Sequence, residues 1–105
     1  MMDSGIVFMT AANRDEAEHI ARTLVEKRLA ACVQIYPEIR SLYWWEGRVC
    51  DEAEILFTAK TTRACFDELV AEVKRLHSYS VPEIIFVSIA DAPPDYQRWI
   101  AEVTK

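Results

Sequence analysis

Ser41-Leu-Tyr-Trp-Trp-Glu-Gly47, with Lys60-Thr61 further along, is the stretch that decides how this chain folds. It sets two adjacent tryptophans beside one of the two glycines in the sequence, inside what otherwise reads as one long β-hairpin. Neighbouring strand residues point to opposite faces of a sheet, so Trp44 and Trp45 cannot enter the same core. One large ring is left outside it, and such apolar area is normally covered. The cover is either another element of the same chain or a neighbouring subunit.

Working outward, the period from Cys32 to Tyr43 is two. Val33, Ile35, Ile39, Tyr43 and Trp45 are expected on one face, and Gln34, Glu38 and Arg40 on the other. Pro37 interrupts the run, which predicts a bulge or an edge position. Glu46-Gly47-Arg48 is the natural turn, and the return strand is placed at about 49–61 with Ile55, Phe57 and Ala59 on its inner face. Both strands exceed the usual five or six residues, so the hairpin is predicted to project from the body of the protein. Leu42, Trp44 and Leu56 are expected on the face opposite Ile35 and Phe57.

The flanks complete the plan. Ile6-Val-Phe-Met9 predicts a strand over about 5–12. Asn13 followed by Glu16 matches a helix start, and Ala17, Ile20, Ala21, Leu24, Val25 and Leu29 carry an amphipathic helix to about residue 30. A second helix begins at Thr61 or Thr62 and runs to His77. Glu83-Ile-Ile-Phe-Val-Ser-Ile89 is nearly all apolar, which predicts a central strand, and Pro93-Pro94 opens a short last helix. The order βαββαβ plus a helix predicts an α+β chain, one domain over residues 1–105. It has the ferredoxin-like antiparallel sheet, a long central hairpin and both main helices on one face. The other face is expected to be bare and partly apolar, so oligomerisation through it follows.

Composition narrows the function. The formal charge is −5 and Lys/Arg residues form no cluster beyond pairs such as Lys27-Arg28, which disfavours nucleic acid as a partner. Three cysteines, Cys32, Cys50 and Cys65, form no C-x-x-C pair, so neither a disulfide scaffold nor a structural zinc site is expected. No apolar run reaches membrane-span length and the first residues lack a basic, apolar leader. A soluble, cytoplasmic protein is expected.

Leu29-Ala-Ala-Cys-Val33, the Ser41–Gly47 stretch, Lys60-Thr61 and His77-Ser-Tyr-Ser-Val-Pro-Glu83 together resemble the CutA family of divalent-cation-tolerance proteins, from about residue 6 to 101. The resemblance implies a homotrimer of PII-like architecture whose long hairpins reach onto neighbouring subunits, with Trp44 and Trp45 at the interface. It also implies a role in tolerance of copper or another divalent ion. The described bacterial copper site resembles a cysteine at the end of the first strand plus two histidines after the second helix. Met9 and Leu76-His77 hold those positions here, so one of three donors is kept.

His77 is the leading metal candidate, since neutral imidazole is the commonest ligand for copper and zinc, and Glu83 lies nearby in sequence. The alternative is a histidine that caps the last carbonyls of the helix. His19 is expected on a solvated flank, and Glu52 and Glu54 on a solvated or interfacial strand. In the family pattern Tyr43, Lys60, Thr61 and Tyr79 gather with His77 and Glu83 at a cleft between subunits. They resemble a pocket for a small anionic ligand as much as a metal site. No Ser/His/Asp, Cys/His or paired-carboxylate arrangement stands out, and the loop Thr10-Ala-Ala-Asn-Arg14 has no glycine to cradle phosphate. Binding rather than catalysis is expected: divalent-metal tolerance first, then metabolite sensing by a PII-like trimer, then a scaffold.

Overall fold

The long hairpin forms as its residue pattern dictates. In the computed structural model, which describes residues 3–105, β2 (Cys32–Trp45) and β3 (Arg48–Thr62) are 14 and 15 residues long. Trp45 pairs with Arg48 across a two-residue turn in which Glu46 (φ 50°) and Gly47 (φ 79°) are both left-handed. That turn has the twist a two-residue hairpin needs. The molecule extends 44 Å along its long axis against 25 and 23 Å across, so the hairpin does project.

β1 (Ser4–Ala11) pairs antiparallel with β3, and β4 (Ile84–Ser88) pairs antiparallel with β1, giving the sheet order β2-β3-β1-β4. This is the ferredoxin-like order. The helices α1 (Arg14–Glu26) and α2 (Arg63–Leu76) cover one face. Between them and the sheet lies a core of Val7, Met9, Ile20, Leu24, Phe57, Leu69, Val73 and smaller neighbours, all closed to water. Burial of this stripe from each element is the main stabilising term. Lys27, which caps the end of α1, pairs with Glu72 of α2 at 3.0 Å and braces the two helices, while Arg75 pairs with the same Glu72 within α2.

Four features differ from the expectation. The helix α1 stops at Glu26 rather than near residue 30 because Arg28 turns left-handed at φ 58°. Leu29 and Ala30 then fold back, their N–H groups donating to the Leu24 carbonyl. Leu29 stays buried although it is no longer helical. β4 is an edge strand, not a central one. Its apolar run reflects Ile84 and Phe86 facing the core, while Ile85 and Val87 are about half exposed on the other face. The last helix α3 (Pro94–Val103) packs on β1 and β3, and Tyr96 reaches the Cys32 thiol, whose register places it on the face away from α1 and α2. The second face is therefore partly covered by the chain itself.

The fourth difference moves side chains. Ile35 pairs with Phe57 but Glu38 pairs with Ile55, so Tyr36 and Pro37 together oppose one residue of β3. This bulge inverts the alternation. Beyond it Ile39, Ser41, Tyr43 and Trp45 turn to the open face, away from Val33 and Ile35. Leu42 and Trp44 lie on the helix side, past the end of the helical layer, where they are 63% and 74% exposed.

Gly5 lets β1 and β4 close. A Cβ there would come within 2.6 Å of two ring carbons of Phe86 and closer still to a third. Phe86 in turn packs edge-on against Phe66, with ring centroids 5.5 Å apart. Gly5→Ala is expected to destabilise by about 1–3 kcal/mol through overpacking. The check is a lowered urea midpoint at unchanged slope; a midpoint equal to wild type would mean the Phe86 ring moves aside freely.

Candidate functional site

The inverted alternation assembles a cleft on the open face of the hairpin. Tyr43 and Trp45 from β2 now stand on the same side as Cys50, Glu52 and Glu54 from β3, with Thr10 of β1 at the inner end. The remaining wall, Tyr79 to Glu83, comes from the connection between α2 and β4.

That connection is held by named bonds. His77 Nε2 lies 2.7 Å from the Thr10 carbonyl, which only accepts, so this nitrogen carries the proton. Its Nδ1 accepts the Tyr79 N–H at 3.0 Å. The Ser78 N–H donates to Glu16 Oε2 at 2.7 Å, and Ala12 N–H donates to Glu16 Oε1 at 3.2 Å. Burial of Glu16 pushes its pKa up, but the bonds from Ser78 and Ala12 and the nearby His77 outweigh this and hold it below the usual carboxylate range. Asn13 accepts from Glu16 N–H at 2.9 Å and caps α1, so the first turn of that helix also anchors the far loop through the Glu16 side chain.

With its backbone fixed, Tyr79 donates its hydroxyl to Glu54 Oε2 at 2.8 Å. Tyr43 donates to Glu52 Oε1 in the same way, two residues along the strand. Burial and then the bond to Glu54 raise the Tyr79 pKa; the bond to Glu52 pushes Tyr43 up to about 12. Both phenols therefore stay protonated donors at neutral pH. Burial and the charge of Glu54 raise Glu83, which places two carboxylates within each other's field.

The positions singled out in the sequence separate into three groups. Tyr43, Tyr79, Trp45 and Glu83 share the cleft. His77 sits behind it with both ring nitrogens engaged, a buttress for Tyr79 rather than a helix cap through its ring. Lys60 and Thr61 are elsewhere. Lys60 faces Ile6 and Cys32 across the sheet and donates to Gln34, six residues and roughly 20 Å along β3 from Glu54. Thr61 is fully buried and donates to the Leu29 carbonyl at 2.6 Å, a structural bond. Within one chain the grouping of Lys60 and Thr61 with Tyr43 and Tyr79 does not form.

Met9 is buried in the core between Phe57 and Ile84, and Trp44 stands with Leu42 and Val49 on the opposite face from Trp45. Among the described residues, no three His, Cys, Asp or Glu side chains converge closely enough to hold a metal ion. No helix among them is long and apolar enough to cross a membrane.

Glu54 is the residue the sequence reading missed. It is 8% exposed, not solvated, and forms no ion pair with any described residue. Its place in an acidic, alternating strand gave no sign of burial, which depends on Tyr79 folding over from a distant loop.

Comparison with known proteins gives this geometry its family. The pattern of the CutA1 divalent ion tolerance protein family matches residues 5–103. The divalent-cation tolerance protein CutA of Thermus thermophilus is 43% identical over 99 residues, covering 94% of this chain and 96% of its own. Its counterpart in Pyrococcus horikoshii is 38% identical over 100 residues, covering 95% and 97%. The solved structure of the Thermus protein superimposes with a TM-score of 0.95 at 42% identity, covering 97% of this chain and 99% of that one. The names of these relatives state tolerance of ions and no catalytic activity. A match of sequence pattern, length and backbone over nearly the whole chain leaves one assignment: it belongs to the CutA1 divalent ion tolerance family.

Proposed function

We propose that this protein acts in divalent-cation tolerance by binding, as a homotrimer, and that the hairpin cleft is where a cation is received. The observation that carries the reading is Glu54, a buried carboxylate with one phenol partner and no ion pair among the described residues, whose charge also reaches Glu83 and raises that carboxyl's pKa. Buried charge is tolerated when an opposite charge is supplied, and no described residue forms an ion pair with Glu54. The naming of relatives for divalent-cation tolerance supports the same direction. The exposed faces around Trp44 and around Ile85 and Val87 support the trimer, since each is apolar area that a neighbouring copy would cover.

The donor set limits the metal. Glu54 and Glu83 offer carboxylate oxygens, the ligands of hard dications, and water or a neighbouring protomer must complete the shell. Copper prefers nitrogen, and His77 has no free lone pair unless it releases the Tyr79 amide. A small anion is disfavoured, because the cleft carries Glu46, Glu52, Glu54 and Glu83 against Arg48 alone.

Calorimetric titration of metal-stripped protein with Zn(II) and Cu(II), beside Glu83→Gln and His77→Ala, tests this. Expected is saturable binding that Glu83→Gln weakens by about fivefold or more, with His77→Ala weakening both ions alike because it frees Tyr79. Binding no tighter than roughly 1 mM for both ions would remove the metal role of the cleft.

A further inference from the structure

We propose that the same cleft recognises an elongated organic diammonium, a linear aliphatic diamine or polyamine, resting on the reading that this face accepts cations. Its shape and walls differ from those of a chelating metal site. The cavity of about 550 Å³ is of small-molecule size. Three aromatic side chains, Tyr43, Trp45 and Tyr79, line it together with Glu52, Glu54 and Glu83. Aromatic faces attract ammonium groups and shelter methylene chains, and carboxylates accept the ammonium N–H donors.

The spacing selects a long cation. Glu52 and Glu54 lie two apart on one strand face, which separates their backbones by about 6.8 Å. A bare ion cannot contact both at metal–oxygen distances unless their side chains converge, and here each carboxylate is bonded to a different phenol, Glu52 to Tyr43 and Glu54 to Tyr79. A chain of about four methylenes between two ammonium groups bridges that separation. The two carboxylates are also oriented in advance. Tyr43 takes one oxygen of Glu52 and Tyr79 one oxygen of Glu54, and in each case the second oxygen has no hydrogen-bond partner among the described residues. The buried Glu54 would gain the charge partner it lacks, while the exposed Glu52 holds the other end.

The test is calorimetric titration of the intact protein with butane-1,4-diamine and with n-butylamine, at fixed low ionic strength. Wild type is expected to bind the diamine about tenfold or more tighter than the monoamine. Glu52→Gln should erase most of that difference, and Glu68→Gln, on the far surface beside Lys105, should leave it unchanged. Trp45→Ala should weaken both amines, because the ring contacts the carbon chain. Equal affinity for the two amines, or a diamine affinity indifferent to Glu52→Gln, would overturn the proposal and leave general counter-ion attraction. Since Glu52 is exposed, its substitution is not expected to compromise folding, whereas Glu54→Gln serves as a second variant after circular dichroism confirms the fold. The metal reading fails separately: diamine binding that persists in Glu83→Gln, beside absent zinc and copper binding, removes the metal and keeps the amine.

Discussion

Tyr79→Ala is expected to open the cleft while leaving the body of the protein folded. The phenol bonds the buried Glu54 and forms a wall of the cleft from the connection between α2 and β4. Its loss should lower affinity for any cleft cation by about tenfold or more, with far-ultraviolet circular dichroism nearly unchanged. Unaltered binding to Tyr79→Ala would show that this connection does not form the site. Deleting Pro37, by contrast, should leave the cleft in place. The bulge sets Tyr36 and Pro37 against Leu56, and with Pro37 gone Tyr36 meets Leu56 while Glu38 still meets Ile55, so Tyr43 and Trp45 keep the side of Glu52 and Glu54. The extra residue decides which side each outer residue takes when the alternation is counted along the sequence.

This dependence on one residue explains what could and could not be read from the sequence. The element order, the projecting hairpin, its turn at Glu46-Gly47 and the ferredoxin-like plan follow from local signals: period, capping and turn chemistry. The faces of the outer hairpin do not. Pro37 announces a bulge or an edge but not whether the alternation inverts, and an error of one residue exchanges the whole set. β4 misleads for a related reason. Four apolar residues in a row look central, yet this edge strand is apolar on both faces, with Ile84 and Phe86 in the core and Ile85 and Val87 about half exposed. The cleft itself joins β1, β2, β3 and the α2–β4 connection. Tyr79 and Glu54 are 25 positions apart, and nothing in either segment alone marks their contact. Family resemblance supplied Tyr43, Tyr79 and Glu83 together, but it also grouped Lys60 and Thr61 with them. In one chain these lie at the other end of β3, away from Tyr43.

The contrast between Phe57 and Trp44 separates folding from assembly. Phe57 is fully buried at the centre of the sheet, between Met9 on one neighbour and Ile35 on the other, and is the largest fully buried side chain. Phe57→Ala removes the ring and leaves a cavity that α1, α2 and two flanking strands cannot collapse to fill. A cost of about 3–5 kcal/mol is expected, a large share of the stability of a domain this size, and it should not depend on protein concentration. Trp44 is 74% exposed in the single chain, so Trp44→Ala removes little that the isolated fold relies on. In a trimer whose neighbour covers that ring, the same substitution acts on association. Its destabilisation should grow on dilution and appear as a shift from trimer to monomer in sedimentation or light scattering. Denaturation of both variants over a hundredfold range of concentration distinguishes the two cases. A Trp44→Ala midpoint that follows wild type at every concentration, with an unchanged assembly, would place the subunit contact on the open face instead, around Ile85 and Val87.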